Sequence, residues 1–215
     1  MPKDMFAPLI VVLFFLSGFC NLVYEIVWAR MFNLVFGVTV FAVSAVLAAF
    51  MLGMAVGGIT FGRLAEKTKN NVVLFAGVHA GIFLSTLLLL LSFPLFQGLY
   101  LFVNKAFSPS FLVFRIMLFF LSVVFMIVPT TLMGATFPVA VKLLALREGR
   151  FGKDIGALYS VNTLGSVLGC ITTIFLLLGF AGMKGTVFAA AAMDLAIGGG
   201  ALLLNRLFDQ KTRTA

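Results

Sequence analysis

The sequence predicts an all-α integral membrane protein with six transmembrane helices and both termini in the cytoplasm. Three observations carry this expectation. Of 215 residues, 62% are hydrophobic and 10% charged, and the mean hydropathy is +1.19, whereas soluble domains are about half apolar and a quarter charged. The apolar residues fall into six runs, each long enough to cross a hydrocarbon core of about 30 Å. The basic residues cluster between those runs on one side, as the positive-inside rule requires.

The first run covers residues 7–29. It continues to Trp28, longer than a signal-peptide core, and Phe19 is too bulky to precede a lipoprotein cleavage cysteine, so it reads as a retained span. The second covers 38–61, and the third covers 72–93 and ends at Pro94. Pro94 to Ser110 reads as an interfacial outward loop. The fourth covers 111–134 with a kinked extension to 146, because Pro129 and Pro138 lie too close together to bound a separate span. A re-entrant segment is the minor alternative there. The fifth covers 155–180 and the sixth 185–204. Lys3, Arg63, Lys67, Lys69, Lys142, Arg147, Arg150, Lys153, Arg206, Lys211 and Arg213 account for 11 of the 15 basic residues and lie on the side of both termini. The +8 net charge is thus spent on orientation, and nucleic acid is not an expected partner.

Within the runs, Ala42, Ala45, Ala49, Gly53 and Gly57 recur every three or four residues, as do Gly152, Gly156 and Ser160, and Gly165 and Gly169. Such faces let helix backbones approach closely in lipid. Gly58 and Gly62 form a further pair, and Gly198 to Gly200 suggest another close contact or a weak point.

Only two of the seven acidic residues, Glu25 and Asp194, lie inside runs. An ionisable group at a helix centre costs at least about 2.5–3.5 kcal/mol on insertion scales, which marks both as candidates for function. Asn21, Tyr24, Glu25 and Trp28 are spaced to share one helix face. A carboxylate with two aromatic rings and an amide suits an organic cation, through charge pairing and cation–π attraction. The alternative is a pair of interfacial aromatics with Glu25 bound to Arg30 or Arg115. Asp194 is a proton or cation site, or the buried partner of His79. Asn162 and Tyr159 add polar groups in the fifth run. Arg63 to Lys69 reads as a short basic loop that enforces topology or clamps Glu66 or Asp154. Cys20 and Cys170 read as small buried residues. No metal-binding, nucleophile or phosphate-loop motif occurs, so an enzyme, a cofactor and a metal are not expected.

Several motifs occur in order along the chain: Ser17-Gly18-Phe19, Leu22-Val23-Tyr24-Glu25 and Trp28-Ala29-Arg30; Leu52-Gly53-Met54-Ala55; Met133-Gly134-Ala135-Thr136-Phe137-Pro138; and Tyr159-Ser160-Val161-Asn162-Thr163-Leu164-Gly165. They resemble the membrane domain found fused to spermidine-synthase-like modules. Gly62, Arg63 and Glu66 are similar to the cytoplasmic loop motif of the major facilitator superfamily, with Glu66 in place of the usual Asp. The resemblance implies half of a major-facilitator-like fold. It does not bring polyamine synthesis, because the Rossmann-like aminopropyltransferase module is missing from this sequence. A facilitator has two six-helix halves, so a second copy in a homodimer is the simplest completion.

The expectation is a half-transporter in the plasma (inner) membrane that moves a small organic cation such as a polyamine. Glu25 would be the counter-charge, Tyr24 and Trp28 the aromatic wall, Asn21, Asn162 and Tyr159 polar contacts, and Asp194 with His79 the proton-coupling pair. The alternative is a membrane anchor for a separate synthase-like soluble partner.

Overall fold

A computed structural model describes residues 6–37, 39–107, 111–144 and 151–213. These are helical throughout apart from short turns: α1 (Phe6–Phe36), α2 (Val40–Lys67), α3 (Asn71–Phe107), α4 (Phe111–Leu143), α5 (Phe151–Thr172), a π turn (Thr173–Leu177) and α6 (Leu178–Arg213). Five apolar helical runs are long enough to cross a membrane, the last being the 56-residue stretch Gly152–Leu207 that joins α5, the π turn and α6. The chain is an all-helical protein with the composition and helix lengths of an integral membrane protein.

The helices are longer than the apolar runs that predict them. The loop expected after Pro94 is instead a continuation of α3 to Phe107. Proline removes one donor without breaking a helix that its neighbours support. Here Phe96 and Tyr100, beyond the proline, are held against Phe36 of α1 at ring-centroid distances of 5.4 Å each, and Phe96 sits 4.6 Å from Phe32. The extension of the fourth run past Pro129 and Pro138 is helical to Leu143, and residues 145 and 146 lie outside the described residues. The basic loop expected from Arg63 is also mostly helix, since α2 runs to Lys67. Thr68 ends it by donating to Leu64 O from both its backbone N–H (3.0 Å) and its hydroxyl (2.8 Å).

Helix directions follow from which residues meet. Gly165 and Gly169 of α5 lie against Phe15 and Phe19 of α1, so α1 and α5 run parallel. Cys20 and Leu13 of α1 meet Ala190 and Gly200 of α6, so this pair is antiparallel. By the same test α2 and α4 are parallel, through Gly53 with Thr130 and Gly62 with Pro138. α3 is parallel to α1 and antiparallel to α4 and α6. α5 and α6 therefore reverse on each other, and the reversal falls at Gly182 (φ 64°, ψ −178°). That region of backbone space is essentially open to glycine alone.

α1 is the hub, in contact with α2, α4, α5 and α6. The predicted α2 stripe, Ala42, Ala45, Ala49, Gly53 and Gly57, is buried throughout. Its partner is α4: a β-carbon on Gly53 would collide with the Thr130 side chain, one on Gly57 with the Thr131 carbonyl, and one on Gly134 with the Met54 backbone. Gly198 lies against Ala76 and His79 of α3. The Gly152, Gly156, Ser160 stripe differs: neither glycine has a neighbour within 4 Å of an added β-carbon, and all three residues are exposed. Spacing permits a close approach without supplying the partner.

Replacing Gly57 by Ile should separate α2 from α4 and cost several kcal/mol, above the roughly 1–3 kcal/mol of ordinary overpacking, because backbone rather than a side chain must move. Gly77→Ala, with nothing within 4 Å, should change stability by less than about 1 kcal/mol. Reversible unfolding in mixed micelles checks both.

Candidate functional site

The ionisable residues inside the helices occupy two unlike environments. Asp194, on α6, is fully buried. Its Oδ2 accepts a hydrogen bond from the Tyr24 hydroxyl of α1 (2.7 Å), and its Oδ1 lies 2.7 Å from Nδ1 of His79 on α3. Tyr24 and His79 are also wholly buried. The alternative in which His79 is the interior partner of Asp194 is the arrangement observed. One carboxylate thus joins three helices distant in sequence. With the carboxylate ionised, Oδ1 only accepts and His79 donates from Nδ1, and Nε2 has no partner among the described residues. The imidazole ring is packed edge-on against Phe75 at 4.6 Å, which fixes its plane. Cys20, buried one turn before Tyr24, directs Sγ to Ala190 O (3.7 Å), one turn of α6 before Asp194.

Glu25 stands apart from this network. It is half-buried, and among the described residues the ion pair formed is His79–Asp194. Arg30 is exposed and unpaired with Glu25, and the side chain of Arg115 lies outside the described residues. Tyr24 and Trp28, expected as an aromatic wall for Glu25, are fully buried and stacked on each other, with centroids 5.4 Å apart and planes 24° apart. Asn21 is buried on the same side of α1, with Oδ1 unbonded.

Asn162 and Tyr159 are placed elsewhere. The Asn162 amide donates to Phe14 O (3.1 Å), and Ser166 donates to Gly18 O (3.1 Å), so both act as clamps between α5 and α1. These contacts lie two to three turns before Glu25 on α1. Tyr159 is 63% exposed, with its ring edge toward Phe137. Gly62, Arg63 and Glu66 lie within α2, with Arg63 and Glu66 exposed, and neither Glu66 nor Asp154 forms an ion pair among the described residues. Asp154 instead lines a cavity of about 250 Å³ with Ala7, Val11 and Leu144, at the start of α1 and α5.

Sequence reasoning passed over Ser17, whose hydroxyl is buried without a partner. Its signal is position: it precedes Asn21 by one turn on the face already singled out. Among the described residues there is no cluster of three or more metal-ligating side chains.

No protein-family model, curated protein or solved structure matches this chain.

Removing one member of the buried pair strands the other, which typically costs about 3–5 kcal/mol, whereas replacing both with apolar groups is much cheaper. Asp194→Leu should therefore destabilise the protein more than the double variant Asp194→Leu/His79→Leu, as measured by unfolding in micelles. Tyr24→Phe should cost no more than about 2 kcal/mol, the upper range for a hydrogen bond between membrane helices.

Proposed function

We propose that this chain is a half-transporter of six membrane spans, working as a homodimer in the plasma (inner) membrane and moving a small organic cation such as a polyamine. The observation that carries the reading is Glu25. It is an ionisable group well inside an apolar helix, half-buried, with no ion pair among the described residues. A bare carboxylate is costly in lipid, so it calls for a counter-charge from a cation or a second polypeptide.

Helix directions support the six-span part of the reading. Each helix reverses on the one before it, and the Gly182 turn divides the 56-residue run into two crossings. With the basic clusters on the side of the chain ends, both termini are cytoplasmic in this arrangement. The exposed polar and small residues of α5, Gly156, Tyr159, Ser160 and Thr163, are a poor surface for lipid and a suitable one for a second copy. Asp194 and His79 are the proton-coupling pair in this scheme.

The purified protein should be a dimer by native mass spectrometry from lipid nanodiscs. Proteoliposomes should accumulate labelled spermidine, and Glu25→Gln should lower uptake at least tenfold with insertion unchanged. Tenfold corresponds to about 1.4 kcal/mol of lost cation binding. Wild-type vesicles that take up neither spermidine nor putrescine, with a soluble synthase-like protein copurifying, would favour the anchor instead.

A further inference from the structure

The α1–α3–α6 contact contains more hydrogen-bonding capacity than its three partners use. Ser17 Oγ, Asn21 Oδ1 and His79 Nε2 are all buried and have no partner. Each orphaned group is costly to leave unpaired, and these three are not scattered. Ser17 and Asn21 are one turn apart on a single face of α1. Tyr24 of α1 faces Thr86 of α3, and these two helices run parallel. Seven residues back along both helices lie Ser17 and His79, so the two orphans stand at one height. Asp194 is bonded to His79, so the carboxylate adjoins this layer, and Tyr24 reaches the same carboxylate from about two turns further along α1.

We infer that this layer is a buried water site and that the Asp194–His79 pair exchanges one proton with solvent through it. The occupant must both donate and accept, because Asn21 Oδ1 only accepts, the Ser17 hydroxyl does either, and His79 Nε2 accepts when the ring is neutral. Water meets that requirement, with the usual two to four polar partners. With His79 neutral the pair carries one negative charge. A proton delivered to Nε2 makes the ring imidazolium and brings the pair to zero, while Nδ1–H stays on Asp194. The titratable groups facing the carboxylate are Tyr24 and Cys20 from α1 and His79 from α3. His79 is the group among them whose charge ordinarily changes near neutral pH.

The inference deepens the proton-coupling role given to this pair above, but its test does not depend on transport. The chain has one histidine, so a ¹⁵N-histidine-labelled sample in nanodiscs reports His79 alone. The expected result is a water-to-Nε2 exchange cross-peak and an Nε2 resonance that moves between the unprotonated and protonated positions as pH is lowered from 9 to 5. Ser17→Ala and Asn21→Leu should weaken the cross-peak at least severalfold, with Nδ1 still bonded to Asp194. These variants remove no member of the bonded triad, so they keep the experiment readable if Asp194→Asn fails to fold. An Nε2 signal with no water exchange and no change across that pH range would mean a dry structural pair and would overturn the inference. Hydration and titration without any spermidine uptake would keep the inference and remove the transport reading.

Discussion

Backbone contact between helices is the constraint on which the rest depends. In lipid there is no hydrophobic gain from bringing two apolar helices together, so association rests on how closely their surfaces can meet. In this chain Gly53 and Gly57 on one helix and Gly134 on the other bring α2 and α4 together at backbone range, and Gly165 and Gly169 do the same for α5 on α1. These two parallel pairs leave α1 at the centre, and the third pair, α3 with α6, closes against it. The polar cluster lies where α1, α3 and α6 meet, and Gly198 of α6 packs against Ala76 and His79 of α3 beside it.

The division of the two membrane carboxylates follows from that packing. Asp194 faces inward, where a tyrosine and a histidine meet it. Glu25, on the same helix as Tyr24, is half-buried. One carboxylate is saturated within the chain, by Tyr24 and His79, and the other forms no ion pair among the described residues.

Much of this was legible in the residues. Apolar runs gave the helices, and the spacing of small residues on α2 gave its buried face, because a stripe every three or four positions has a physical meaning at any sequence distance. Helix ends were less legible: hydropathy falls at the edge of the hydrocarbon, while hydrogen bonding continues α1 to Phe36 and α3 to Phe107. The face proposed for Asn21, Tyr24, Glu25 and Trp28 was too broad. Adjacent residues differ by about 100° around a helix, so Tyr24 reaches α6 while Glu25 turns away. Sequence could pair Asp194 with His79, since both are rare in apolar surroundings. It could not bring Tyr24 to the same carboxylate, because that depends on which helix lies beside α1. Asn162 is a similar case: an amide in a span reads as a ligand contact until a carbonyl on a neighbouring helix, Phe14 O, accepts its hydrogen bond.

The π turn at Thr173–Leu177 sets the phase of the short helical stretch that leads into Gly182. A π turn accommodates one extra residue without ending the helix, so the segment beyond is rotated by about 100° from the phase it would otherwise keep. Before the turn, Gly165 and Gly169 point at α1. Within it Thr173 is fully buried and Phe175 is 75% exposed, and just beyond it Phe180 is turned outward at 89% exposure. A single residue of slack therefore works as a phase shifter. The stretch that grips α1 and the stretch that leads into the Gly182 reversal have separate bearings on one shaft, and each half can be tuned by substitution without twisting the other out of register.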